Sequence, residues 1–64
     1  MIKINGHEYE LKEIKLMEYL NNNGYDIKKI AIELNGEILK KSDYAECILV
    51  NGDKVEIVCF VGGG

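Results

Sequence analysis

Apolar and polar positions change their spacing several times along this chain, and each change marks an element. In Met1-Ile2-Lys3-Ile4 the isoleucines alternate with polar neighbours, and in His7-Glu8-Tyr9-Glu10-Leu11 the side chains of Tyr9 and Leu11 oppose Glu8 and Glu10. Between the two runs stands Asn5-Gly6. Both residues tolerate the positive φ of a type I′ turn, so residues 1–11 are expected to form an antiparallel hairpin. The period then lengthens: Leu16, Tyr19 and Leu20 fall at i, i+3, i+4 with Met17 beside them, which predicts a helix over about residues 15–23. Its start lacks a Ser, Thr or Asp cap, whereas Gly24 suits the left-handed conformation that ends a helix. The Asn21-Asn22-Asn23 run reads as a frayed last turn.

Alternation returns from Lys29 to Leu34, with Ile30, Ile32 and Leu34 against Lys29, Ala31 and Glu33, and predicts a strand. Asn35-Gly36 offers a tight turn into the short apolar piece Ile38-Leu39. The following stretch, KKSDYAECIL, reads as a crossover that need not be regular, with Ser42 a candidate cap for one turn of helix. Asn51-Gly52-Asp53 turns the chain into KVEIVCFV, Lys54 to Val61, the most β-prone run of the sequence and the expected central strand. There Val55, Ile57 and Cys59 share one face, and Val58 and Phe60 the other. The long connection between first and last strands permits them to pair in parallel. Periodicity alone therefore predicts an α+β fold, a sheet of about four strands packed on one helix.

Composition narrows what such a fold can do. Sixty-four residues make one small domain, and an enclosed pocket of several hundred Å3 would consume much of its interior, so an enzyme is not expected. The net charge is −3 and every basic residue is lysine, which argues against nucleic acid and, if the charge matters at all, for a basic partner surface. No apolar leader core or membrane-length run is present, so the protein is expected in the cytoplasm and away from membranes. There Cys47 and Cys59 are expected as reduced thiols that pack like small hydrophobes, and His7 as a half-exposed strand residue. No spacing of His and Cys suggests a metal site.

The C-terminal FVGGG joins the expected central strand to bare backbone. Residues 1–61 read as the domain and Gly62, Gly63 and Gly64 as a flexible arm. Such an arm reaches about 10 Å at full extension. Glycine passes a narrow channel where any Cβ would clash, although glycine tails also serve as plain linkers. A terminal carboxylate is a poor electrophile and needs activation before a nucleophile adds to it.

The stretch Ala31 to Gly64, with ELNGE at 33–37, GDKVEIV at 52–58 and the closing FVGGG, resembles the ThiS family of sulfur carriers of thiamine biosynthesis, in the ubiquitin-like β-grasp superfamily. The first thirty residues agree in length and pattern but carry little motif. The resemblance implies a β-grasp fold, a mixed sheet of four or five strands on one helix. It also implies a carrier that acts as cosubstrate and binds no cofactor of its own. An E1-like, ThiF-like enzyme would use ATP to adenylate the Gly64 carboxylate. Sulfur from a donor such as a cysteine desulfurase would then displace AMP, and the thiocarboxylate would pass to a ThiG-like thiazole synthase. Gly62 and Gly63 would give clearance and reach. Val58 and Phe60, which alternation puts on the outer face next to the tail, would with Val61 form the docking surface, or else merely cover neighbouring strand side chains. One departure is Lys40-Lys41 where the family often has Pro-Arg, which changes any contact made by that arginine. The same tail also fits a carrier of the molybdopterin route, or a ubiquitin-like modifier that ends in an isopeptide bond.

Overall fold

A computed structural model describes residues 1–60. Strands β1 (Ile2–Ile4) and β2 (His7–Tyr9) form the expected hairpin. Asn5 and Gly6 have φ of 49° and 84°, so both hold the left-handed conformation that the turn needs. The hairpin is shorter than alternation suggested: Leu11 lies beyond β2 and is exposed, and His7 is exposed rather than half-buried.

The chain then forms β3 (Glu13–Lys15) and helix α1 (Leu16–Asn22), as the 3.6-residue period required. Lys15, at the N-cap, gives no side-chain hydrogen bond. The C-terminus is well closed: Gly24 has φ 73°, Gly24 N–H donates to the Asn21 carbonyl (3.3 Å), and Tyr25 N–H donates to the Leu20 carbonyl (3.0 Å). This is the paired bonding of a Schellman motif. The asparagine run is accordingly not frayed, and Asn23 Nδ2 donates to the Tyr19 carbonyl at 2.8 Å.

A 3-10 turn at Ile27–Lys29, capped by the Asp26 side chain, leads into β4 (Ile30–Leu34), and β5 (Glu37–Ile38) follows. Lys29 thus belongs to the turn rather than to the strand. The next segment corrects the expected cap and adds a strand. Residues Lys41–Glu46 form a 3-10 turn whose N-cap is Lys40, with no side-chain cap, so Ser42 lies inside the turn. Extended backbone at Lys40 already starts the turn, and its carbonyl accepts from Asp43 N–H at 2.9 Å. The crossover ends in a regular element, β6 (Ile48–Val50), which pairs antiparallel with β3 in a small second sheet. The last described strand is β7 (Lys54–Cys59).

The main sheet has the order β2-β1-β7-β4-β5, with β7 in the centre, antiparallel to β4 and parallel to β1. Ile2, Ile4, Ile30, Ile32, Val55 and Ile57 from this sheet meet Leu16 and Leu20 of α1, Leu49 of β6 and Tyr44 of the second 3-10 turn in one buried core. Tyr44 is the large side chain that fills the space under the crossover, and burial pushes its phenol above the ordinary pKa.

Candidate functional site

The central strand is fixed from both sides by turn asparagines. Asn5 Oδ1 accepts from Ile57 N–H at 2.7 Å and its Nδ2 donates to the Ile57 carbonyl at 3.3 Å. A side-chain amide thus continues the β1–β7 ladder after the hairpin has turned away. On the other side Asn35 N–H donates to the Lys54 carbonyl (2.8 Å), Asn35 Oδ1 accepts from Lys54 N–H (2.8 Å), and Asn35 Nδ2 donates to Asp53 Oδ1 (2.9 Å). Farther along, Phe60 N–H donates to the Lys29 carbonyl at 2.8 Å. β7 is therefore held as a rigid rail up to the last described residue.

Its two faces differ as the alternation predicted. Val55 and Ile57 are buried, whereas Val58 and Phe60 are 55% and 45% exposed on the outer face. Ala31 stands opposite Val58 on β4. Lys29 borders Phe60, and Lys40 follows Leu39, which packs on the core, so the lysine points outward from the neighbouring edge. The preceding rung of the same face runs Glu56, Glu33, Ile38 across β7, β4 and β5, and Ile38 is 70% exposed. The result is an apolar strip of Ala31, Val58 and Phe60 bordered by Lys29 and Lys40, with Glu33, Glu56 and Lys54 following on the same face. Of the residues assigned to docking, Val58 and Phe60 come together here; Val61, Gly62, Gly63 and Gly64 lie outside the described residues. Sequence reasoning missed Ile38, Glu33 and Glu56 as members of the face. The register of β4 against β7 would have revealed them, and alternation within single strands does not fix register.

The cysteines do not match a shared role. Cys47 is half-buried and packs on the core, and burial, reinforced by Asp53 and Asp43, raises its thiol pKa. Cys59 has the parity of Val55 and Ile57 but is exposed: the core covers its neighbour Ile30 and leaves the thiol at that rung open. It does not pack as a small hydrophobe. Away from the sheet face, Tyr9, Tyr19 and Tyr25 cluster at the edge of the core, with Tyr9 and Tyr19 hydroxyls 3.2 Å apart. Burial first, and then the Tyr9 hydrogen bond, push the Tyr19 phenol well above its ordinary range. No helix among the described residues is long and apolar enough to cross a membrane.

A five-stranded mixed sheet on one helix, with its final strand central and parallel to the first, defines a ubiquitin-like β-grasp domain. The exposed strip lies where that strand hands the chain to its last residues. Within that class the chain belongs to the ThiS family, whose model matches residues 2–64. The sulfur carrier protein ThiS of Bacillus subtilis is 35% identical over 66 residues, with the whole of both chains covered. The crystal structure of the thiamine biosynthesis protein ThiS from Geobacter metallireducens superposes with a TM-score of 0.72 at 27% identity, covering 98% of this chain and 97% of that one. A thiazole synthase of Paramagnetospirillum magneticum is 45% identical over 62 residues, which are 95% of this chain. The chain spans only 19% of that relative's length.

Proposed function

We propose that this chain is a sulfur carrier of thiamine biosynthesis and a cosubstrate, not a catalyst. The family match that runs through the glycines to residue 64 carries the reading. In it, an E1-like, ThiF-like enzyme docks on the strip around Val58 and Phe60, takes Val61 as a further contact, and draws Gly62-Gly63-Gly64 into its active site. Attack of the Gly64 carboxylate on the α-phosphorus of ATP releases pyrophosphate and leaves an acyl adenylate. The acyl carbon is now electrophilic, because AMP is a good leaving group where a bare carboxylate oxygen is not. A persulfide, supplied from cysteine by a desulfurase, adds its terminal sulfur and expels AMP; reduction of the resulting acyl disulfide by a thiol frees the thiocarboxylate. A ThiG-like thiazole synthase then takes the sulfur. The likeness to one segment of a thiazole synthase supports that last partner.

The described residues support the reading physically. A rigid central strand lowers the ordering entropy of presenting the adjoining segment, and an exposed apolar strip beside it supplies contact area. The test is complementation of cells that lack their own ThiS. The full chain should restore growth without added thiazole, and the Gly64 deletion should not. Restoration by the deletion variant, or rescue by the full chain of molybdenum-cofactor synthesis but not of thiazole synthesis, would contradict the proposal.

A further inference from the structure

The small second sheet has a face that nothing among the described residues covers. Across β3 and β6, Glu13 stands opposite Val50 and Lys15 opposite Ile48, while the pair between them, Ile14 and Leu49, turns toward the core. All four outward residues are exposed, Ile48 to 50% and Val50 to 48%. One strand thus shows a carboxylate and an ammonium, and the other two β-branched apolar side chains at the same two rungs. Lys15 reaches only Glu18, at 3.8 Å in an exposed pair of little strength, and Glu13 has no ion-pair partner among the described residues. The face is locally neutral, so two copies brought together here add no like charge at the contact.

We infer that this face packs on the same face of a second copy of the chain, about a two-fold axis that lies parallel to the sheet and runs across its strands. That rotation reverses the strand direction of the copy. Its Lys15 then lies over Glu13 and its Glu13 over Lys15, while its Ile48 lies over Val50 and its Val50 over Ile48. Every outward residue meets its complement, as an isologous contact requires. An axis along the strands would instead set Glu13 over Val50 and Lys15 over Ile48, and would bury each charge against an apolar side chain. The copy arrives on the face and not on the edge, because Asp53 occupies the edge of β6. Val50 N–H donates to Asp53 Oδ2 at 2.8 Å, and Asp53 N–H donates to the Val50 carbonyl at 3.0 Å, so β6 is closed to a further strand at Val50. Strands of three residues make a contact far smaller than the roughly 20–30 residues a side of a standard interface, so the dimer is weak and reversible. It uses no residue of the Val58–Phe60 strip and is independent of the docking described above.

The experiment is sedimentation equilibrium of the full chain from about 10 µM to about 1 mM, the range in which so small a contact associates. The wild-type chain should show a reversible monomer–dimer equilibrium. Glu13→Lys and Lys15→Glu each leave the face with one sign of charge, and each should weaken self-association at least about tenfold. An equimolar mixture of these two variants should associate as the wild type does, because a face with two lysines then meets a face with two glutamates. The double exchange, Glu13→Lys with Lys15→Glu in one chain, should keep the wild-type Kd, and so should Phe60→Asp. All of these positions are exposed, so the variants should melt as the wild type does. A chain that stays monomeric at the highest concentration, a single charge reversal that associates like the wild type, or a mixture that fails to associate overturns the inference. Loss of association in Phe60→Asp would place the contact on the main sheet and overturn it as well.

Discussion

Single side chains in this fold are set apart by what surrounds them rather than by type. Cys47 and Cys59 look alike in the sequence, but Cys47 is half-buried with a raised thiol pKa and Cys59 is exposed. The reactive species is the thiolate, so exposure favours Cys59, and half-burial together with the raised pKa holds Cys47 back. With iodoacetamide near pH 7.5, peptide mapping should show Cys59 modified at least about ten times faster than Cys47. Equal rates would mean that the half-burial of Cys47 is not maintained in solution. Asn5 illustrates the same point. Its place before Gly6 announced a turn, but its side-chain bonds to Ile57, 52 residues away, depend on a parallel pairing that no local pattern encodes.

Elements were legible where a period had room to repeat. The seven residues of α1, the five of β4 and the six of β7 each show their spacing clearly, and Asn-Gly marks two of the turns with the positive φ expected of it. β3 and β6 have three residues each and pair across more than thirty intervening positions. Glu-Ile-Lys and Ile-Leu-Val are too short to show a period, and only the tertiary fold brings them together. Ser42 failed as a cap for a related reason: cap propensity is a local preference, and the buried Tyr44 two residues later anchors the turn instead. The helix end offers a clean test. A Cβ at Gly24 would meet no atom within 4 Å, so Gly24→Ala changes only the backbone preference at φ 73°. It should lower unfolding free energy by about 1–2 kcal/mol in urea melts, the cost of a left-handed alanine. A neutral or stabilising effect would contradict the Schellman ending of α1.

At the scale of the whole molecule, net charge and local charge say different things. The chain is acidic overall, at −3, a modest charge that on its own suits solubility first and a basic partner surface only second. The outer sheet face around Val58 and Phe60 is instead mixed, with Lys29, Lys40 and Lys54 alongside Glu33 and Glu56. The outer face was legible in part: the exposure of Val58 and Phe60 followed from alternation, whereas the glycine arm read from the sequence lies outside the described residues. The carboxylate pair waited on the register of the sheet. Under the proposed function these parts have one use: a firmly held central strand and the exposed face beside it would present the chain to partners that carry out the chemistry. The most direct test is intact mass spectrometry after incubation with the adenylating enzyme, ATP, cysteine, its desulfurase and a reducing thiol. The account predicts that one carboxylate oxygen at Gly64 is exchanged for sulfur, and that the Gly64 deletion shows no such change. A wild-type mass left unaltered, or attachment of the chain to other proteins in its place, would contradict it.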